Sequence, residues 1–141
     1  GISVDVASPD TIDERVEVLK RRDAFDNDNT AFMLRWRAED GMIRDQILKA
    51  RETLRDLTTG DAILRDVAEL CIALGSDGLR GELALLKAAR AYAAYRDDTA
   101  LTRTHIRKVA PLALRHRLRR DPLDDAGTGV RVDRIVENIL A

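Results

Sequence analysis

Residues 61–96 read DAILRDVAELCIALGSDGLRGELALLKAARAYAAYR, and this stretch decides the fold. Apolar side chains recur in it at the spacing of a helix. The first such stripe is Leu64, Val67, Cys71 and Leu74. Gly75 follows the stripe at once, and glycine is the usual residue just past a helix C-terminus because it adopts a left-handed backbone at little cost. The stretch therefore predicts two successive helices, the second over about residues 77–96.

The same spacing on both sides of this stretch predicts further helices. We expect them over about residues 10–25, 40–57 and from residue 102 onward, with a short one near residue 135, a short apolar turn at 30–36 and a loop at 121–129. The predicted inward stripes are Ile43, Ile47, Ala50, Leu54 and Leu57; Leu79, Leu83, Leu86 and Ala89; Ile106, Val109, Ala110, Ala113 and Leu114; and Val132, Ile135, Val136 and Ile139. Pro111 should kink the fifth helix, since it removes one helical hydrogen bond.

The chain opens differently, with apolar and polar residues alternating over residues 2–6 as in a strand. One strand cannot satisfy its own edges, so its partners are expected in a segment that this sequence does not contain. The predicted fold is an all-α helical bundle of about five to six helices with one short N-terminal strand.

Composition bears on three properties of the chain, namely nucleic-acid binding, membrane insertion and disulfide bonding. The 141 residues carry 24 Lys or Arg against 25 Asp or Glu, so no global field favours nucleic acid. No apolar run is long enough to span a membrane, and the N-terminus lacks a leader pattern, so a soluble protein is expected. The single cysteine fits a reducing, cytoplasmic setting. Cys71, the only cysteine, excludes an internal disulfide and is interpreted as a core residue.

Self-sufficient catalytic motifs are absent from the sequence. It contains no phosphate-binding loop of the form GxxxxGKS or GxxxxGKT, no HExxH and no GxSxG. His105 and His116 stand apart on a charged helix without acids at the spacing of metal ligands. We therefore predict no catalytic residue and no metal ligand in this chain alone.

One local conflict suggests a binding role. Arg80 falls in the first turn of its predicted helix, where the positive end of the helix dipole disfavours a cation by ~0.3–1 kcal/mol. Gly81, inside the same helix, costs ~1 kcal/mol relative to alanine. A guanidinium at a helix N-terminus suits phosphate oxygens, and Gly81 would let a backbone or ligand approach. The alternative is an ordinary ion pair of Arg80, with Asp77 or another acid, and a Gly81 that eases helix packing.

A second feature is charge segregation. Residues 101–120 hold seven Lys or Arg and no acid, whereas the tail from Asp121 holds five acids against two arginines. Nucleic acid is disfavoured because no aromatic side chain interleaves the arginines. The preferred interpretation is a helix face that pairs with acids elsewhere in the fold or across a subunit interface.

Two motifs carry a resemblance to a known family. The runs CIALGSDGLRGEL at residues 71–83 and APLALRHRLRRDPLD at residues 110–124 closely resemble the I subunit of magnesium chelatase, and residues 1–9 resemble the segment after its arginine finger. The resemblance implies the C-terminal helical lid of an AAA+ ATPase, with residues 1–9 as the end of a core strand and linker and residues 10–141 as the lid. The strand's partners would then belong to the missing α/β core.

The family implies further properties of the intact subunit. Its ring, working through ATP with Mg²⁺, drives insertion of Mg²⁺ into protoporphyrin IX on the route to chlorophyll or bacteriochlorophyll. Its partners are further copies of itself, a second AAA+-like subunit and a porphyrin-binding subunit, in the cytoplasm or in a plastid stroma. Arg80 matches the family's sensor 2 arginine in the LRGE motif and would bind the nucleotide, whereas the fragment alone is expected to be inactive.

Two alternatives stay open from the sequence. The chain could be the lid of another ATPase of the group, such as a MoxR-like chaperone or a cobalt-inserting chelatase. It could also be a free-standing helical interaction module whose basic segment binds an acidic partner.

Overall fold

A computed structural model of the chain describes residues 1–76, 78–117 and 127–140. These residues form an all-α structure, as the sequence predicts. Its helices are α1 Ile12–Asn27, α2 Asn29–Asp56, α3 Asp61–Ala73, α4 Arg80–Tyr95, α5 Arg103–Leu114, a short 3-10 turn Arg115–Arg117 and α6 Gly127–Leu140. None of the helices in the described ranges is both long enough and apolar enough to cross a membrane.

The chain divides into two compact units. Residues 5–47 form one, called here the two-helix unit, and residues 1–4 with 48–141 form the other, called the bundle unit. The two-helix unit contains α1 and most of α2, and neither helix has a fully buried residue. The bundle unit holds the hydrophobic core.

Capping side chains set the ends of α1 and the start of α2. Thr11 Oγ1 accepts a hydrogen bond from the Glu14 N–H at 3.3 Å, so Thr11 caps α1. Asp28 alone separates the two helices, and its carboxylate accepts from the Ala31 N–H at 2.9 Å. The short apolar turn predicted at residues 30–36 is therefore wrong, because these residues are the first turns of the long helix α2.

The predicted N-terminal strand does not form in the described residues. Residues 1–9 contain neither helix nor strand. The Ser3 N–H donates a hydrogen bond to the Leu112 carbonyl at 2.8 Å, which ties the first residues to α5. The alternating pattern did not predict the structure correctly, because a strand forms only beside a neighbouring strand. The described part of the chain contains no strand, and its β-type pairing is limited to an isolated bridge between Thr58 and Ala100.

Helix α5 lies at the centre of the bundle unit. It packs against α3, α4 and α6, and its five predicted inward residues are all buried. Pro111 lies inside this helix, and the kink expected there stays a prediction. From α6, Val132 and Val136 are buried as expected, and Leu140 joins them. The predicted loop at residues 121–129 lies outside the described residues up to residue 126, and α6 already begins at Gly127.

Three predicted stripes need correction. On α3 the correction concerns Leu64, which is 42% exposed. For α4 and its N-cap, Ala89 is buried and Leu86 packs against the core as predicted, but Leu79 and Leu83 are 73% and 54% exposed. The other buried residues of this helix are Gly81, Leu85, Ala93 and Ala94. On α2, Ile43 and Ile47 are exposed, whereas Leu57 is buried and Ala50 and Leu54 pack against the core. Helices α2 and α4 carry apolar residues on more than one side, so periodicity alone does not identify the buried side.

Candidate functional site

The site predicted around Arg80 is built on the turn that joins α3 to α4. Helix α3 ends in a Schellman motif, in which the Gly75 N–H donates to the Ile72 carbonyl and the Ser76 N–H to the Cys71 carbonyl, both at 3.0 Å. Gly75 adopts a positive φ of 68°, which confirms the helix stop predicted at this glycine. The turn therefore satisfies the last carbonyls of α3 with backbone donors.

A second positive φ, 64° at Gly78, redirects the chain into α4. The helix begins at Arg80, with Leu79 as the N-cap residue and the Leu83 N–H bonded to the Leu79 carbonyl at 3.0 Å. The start is thus three residues later than the predicted start at Asp77, which itself lies outside the described residues. As a result, Arg80 is the first residue of the helix.

Arg80 is solvent exposed. It forms no hydrogen bond or ion pair with any other residue in the described ranges, and the proposed pair with Asp77 falls outside them. The contrast with Arg90 is clear, since that guanidinium donates to Thr59 Oγ1 at 2.9 Å and to the Leu54 carbonyl at 3.3 Å. Arg80 is a cation at the positive end of a helix dipole without a described partner to offset the cost.

Gly81 is explained by packing within the chain. It is buried, and a Cβ added there would lie 2.2 Å from Ser76 Oγ, 3.2 Å from Ser76 Cβ and 3.7 Å from Cys71 Sγ. Of the two interpretations of Gly81, close helix packing therefore applies, and the approaching group is Ser76 rather than a ligand. This contact holds the first turn of α4 against the α3–α4 turn and so fixes the position of the Arg80 backbone.

Beneath this turn lie Glu82 and Cys71. Cys71 is fully buried, as predicted for a core residue. Burial, and after it the negative charge of Glu82, raises the pKa of the Cys71 thiol to about 12. One carboxylate oxygen of Glu82 is buried with no hydrogen-bond donor among the described residues. The negative charge in the first turn therefore points inward, whereas the positive charge of Arg80 is in solvent.

Exposed apolar side chains surround Arg80 in the sequence. Ile72, Leu79 and Leu83 are 76%, 73% and 54% exposed. Sequence reasoning missed this surface because it assigned Leu79 and Leu83 to the core. The available signal was their position on either side of Arg80 at a spacing of four, which places them on one side of the helix start.

The basic segment pairs in part with groups of the bundle itself. Arg103 forms a bidentate ion pair with the buried carboxylate of Asp66, with distances of 2.7 and 2.9 Å, and this hydrogen bonding raises the pKa of the guanidinium. Arg107 donates to the Leu140 carbonyl at the end of α6. Intramolecular pairing was the preferred interpretation of this segment, and it is confirmed for Arg103. The side chains of Arg117, Arg119 and Arg120 lie outside the described residues.

Both ring nitrogens of His105 are engaged in structural contacts. Nδ1 accepts from the Thr102 N–H at 3.1 Å, which closes a capping box at the start of α5, and Nε2 lies 2.9 Å from Asp98 Oδ2. Within the described residues, no group of three or more His, Cys, Asp or Glu side chains is arranged to hold a metal ion.

Comparison with known proteins gives this geometry a context. The AAA lid domain family matches residues 64–139. Over 140 residues the chain is 57% identical to the magnesium-chelatase 38 kDa subunit of Cereibacter sphaeroides and 56% identical to that of Rhodobacter capsulatus. These alignments cover 99% of this chain but only 42% and 40% of the two relatives. The chain thus spans less than half the length of the curated relatives that it matches.

Among solved structures, a similar chain comes from a complex between subunits BchI and BchD of magnesium chelatase, based on a single-particle cryo-electron microscopy reconstruction. The two chains are 47% identical, and the alignment covers 96% of this chain and 39% of the other. The TM-score is 0.43.

Proposed function

Because this chain belongs to the AAA lid domain family, we propose that it is the C-terminal part of the ATPase subunit of a magnesium chelatase. The intact subunit would form an AAA+ ring in which ATP hydrolysis drives insertion of Mg²⁺ into protoporphyrin IX for chlorophyll or bacteriochlorophyll synthesis. The similarity to two magnesium-chelatase 38 kDa subunits over 99% of this chain supports the proposal. In this assignment residues 1–9 end the nucleotide-binding core and residues 10–141 form the lid, in the cytoplasm.

The observation that carries the proposal is the state of Arg80. It is exposed at the first residue of α4, and no described residue offsets its charge. An arginine fork presents several N–H donors in one plane, which matches the oxygens of a phosphate group. We therefore assign Arg80 as a nucleotide-binding residue that contacts the γ-phosphate of ATP.

The residues around Arg80 fit one phosphate contact rather than a complete nucleotide site. The neighbouring acid, Glu82, has a carboxylate oxygen buried beneath the turn, so Arg80 is the charge that an approaching phosphate meets first. The sequence has no phosphate-binding loop, and in the proposed assignment ATP and its Mg²⁺ are held mainly by the core domain. When bound, that nucleotide supplies the phosphoryl group whose transfer releases energy.

Arg80 would act in two ways. Its charge would offset the negative charge that the equatorial oxygens carry in the loose transition state of phosphoryl transfer. Its contact would also be lost after hydrolysis, so the lid would have different affinities for the two nucleotide states. Because Gly81 is packed on Ser76 and α4 is packed on α5, a displacement of Arg80 would move the bundle unit with it.

The proposal includes subunit contacts near this arginine. The exposed Leu79 and Leu83 lie four residues apart at the start of α4, and exposed apolar side chains grouped in this way are typical of a protein interface. We assign this apolar surface to contacts between subunits of the ATPase ring. The ring would in turn contact the second AAA+-like chelatase subunit and the porphyrin-binding subunit.

The test uses the intact subunit with its partner subunits. Arg80→Ala and Arg80→Lys are compared with Arg65→Ala, which removes an exposed arginine from α3. For Arg80→Ala we expect nucleotide to bind still, while ATP hydrolysis and Mg²⁺ insertion fall by at least about a hundredfold, the loss typical of one transition-state donor. Arg80→Lys should recover only part of the rate, because an ammonium group lacks the planar fork.

Arg65→Ala should leave all three activities near the wild-type level. Hydrolysis and insertion that persist in a folded Arg80→Ala subunit would make Arg80 a structural residue. An Arg65→Ala subunit that is equally inactive would show that the loss reflects lid stability rather than phosphate contact.

A further inference from the structure

The two-helix unit contains a cavity that the proposed ATPase role does not use. It has a volume of about 200 Å³ and lies between α1 and α2. Its lining combines three cations and two aromatic rings with a single acid. The residues are Glu17, Lys20, Arg21, Ala24, Phe32, Arg35 and Trp36.

The cations of this cavity are held close to an aromatic ring. The guanidinium carbon of Arg21 lies 4.8 Å from the centre of the Trp36 ring, and that of Arg35 lies 5.9 Å from it. Arg21 is anchored further by Glu17, with Nε 2.8 Å from Oε1. Such stacking fixes a guanidinium in one plane without consuming its N–H donors.

Much of the positive charge at the cavity is not neutralised. Neither Lys20 nor Arg35 forms an ion pair with another residue that the structure describes. The hydrogen bond from Arg21, followed by the charges of Arg21, Lys20 and Arg35, lowers the pKa of Glu17. This basic site stands in an acidic setting, since residues 5–47 contain eleven Asp or Glu against seven Lys or Arg.

A second observation points to a ligand. The indole N–H of Trp36 is buried and has no hydrogen-bond acceptor among the described residues. A buried donor without an acceptor is unfavourable, and a ligand oxygen could satisfy it. The cavity therefore has more donors, both charged and neutral, than acceptors, with Glu17 as its one acid.

An apolar cavity of about 350 Å³ adjoins the first and shares Glu17 and Arg21 with it. Its other lining residues are Ala7, Pro9, Glu14 and Val18. We propose that the two cavities together bind a short acidic peptide segment of a protein partner, with a carboxylate side chain among Lys20, Arg21 and Arg35 and an apolar side chain beside Pro9 and Val18.

The same features disfavour other anions. Arg21 lies over the Trp36 ring, so the ring face that it covers is not open to a stacking nucleobase. A nucleic acid would bring a run of phosphates to residues 5–47, whose net charge is negative, whereas the proposed segment places one carboxylate among the three cations. The basic cavity also holds less than the ~300 Å³ typical of small-molecule sites, and this size suits one side chain.

The test measures binding of a fluorescein-labelled peptide, in which leucine alternates with aspartate and glutamate, to the intact subunit by fluorescence anisotropy. A peptide with asparagine and glutamine in place of the acids is the neutral control. Arg35→Glu is compared with Arg37→Glu, which makes the same charge change on the same helix two residues away, on a different side of α2. Inorganic phosphate and a single-stranded oligonucleotide are added as competitors.

We expect the acidic peptide to bind, Arg35→Glu to weaken it by about tenfold or more, and Arg37→Glu to change it less than about twofold. The neutral peptide should bind at least about tenfold more weakly than the acidic one. Equal binding of the two peptides, an equal effect of the two variants, or binding of the oligonucleotide in place of the peptide would overturn the proposal.

Circular dichroism checks that Arg35→Glu is folded. If it is not, Lys20→Glu at an exposed position of α1 takes its place with the same expected loss. Because no step of this test involves Arg80 or nucleotide, its outcome is independent of the proposed ATPase role.

Discussion

Replacing Gly81 by alanine is predicted to destabilise the chain, although alanine is the better helix former. The added Cβ would lie 2.2 Å from Ser76 Oγ and 3.2 Å from Ser76 Cβ. The first contact is shorter than real Cβ atoms tolerate and the second is tight, so both the Ser76 side chain and the turn that carries it have to move. Overpacking costs ~1–3 kcal/mol and the gain in helix propensity is at most ~1 kcal/mol, so we expect a net loss of about 1 kcal/mol in the free energy of unfolding.

The assay is urea denaturation followed by circular dichroism for Gly81→Ala, Ser76→Ala and the double variant. Removing Ser76 Oγ eliminates the shortest contact, so Gly81→Ala should cost about 1 kcal/mol less in the Ser76→Ala background than in the wild type. The reasoning is refuted if Gly81→Ala changes stability equally in both backgrounds, or if it stabilises the wild type by the full helix-propensity gain.

Other predictions concern the core and the loops of the bundle unit. Since the pKa of Cys71 rises from 9.0 to about 12, iodoacetamide at pH 8 should label the folded chain about a thousandfold more slowly than the urea-unfolded chain. The free energy of unfolding should also fall as pH rises from about 9 toward 12, because only the unfolded thiol ionises in that range. Asp97→Gly should raise the free energy of unfolding by about 0.5 kcal/mol in urea titrations, because φ is 65° at this residue and its exposed ion pair with Lys49 contributes little. His105→Gln should lower the melting temperature markedly in calorimetry, since His105 closes the capping box, whereas the exposed His116→Gln should change it little.

Much of the bundle could be predicted from the sequence. The stripe of α5 and the stop at Gly75 were correct because each depends on local rules, namely helical spacing and the left-handed conformation that glycine favours. The burial of Cys71 followed from its place in the stripe of α3. The all-α class followed from the same rules.

The inward side of α4 could not be predicted in the same way. Its sequence offers two apolar sides, one with Leu79 and Leu83 and one with Leu85 and Ala93, and only contact with α5 selects the second. Small alanines form much of the selected side, and hydrophobicity scales rank them below leucine. The prediction of a strand at residues 2–6 was wrong for a related reason, since a strand forms only with a partner that is not adjacent in sequence.

For the candidate site, the sequence identified Arg80 correctly as a residue at the start of a helix, but its solvent exposure and the lack of a described partner appear only in three dimensions. Gly81 looked equally suited to ligand approach and to packing, and the position of Ser76 decides for packing. The cavity at Trp36 was not predicted, because residues 30–36 were assigned to a turn and their relation to α1 was unknown.

The most direct test of the central proposal is the preference of the intact subunit for triphosphate over diphosphate. The dissociation constants of ATPγS and ADP are measured by isothermal titration calorimetry for the wild type and for Arg80→Ala. If Arg80 contacts the γ-phosphate, the variant should bind ATPγS about tenfold or more weakly and ADP unchanged, as expected for a charge-assisted hydrogen bond of ~1.5–3 kcal/mol. Equal affinities of wild type and variant for both nucleotides, or an equal loss for both, would contradict the assignment of Arg80.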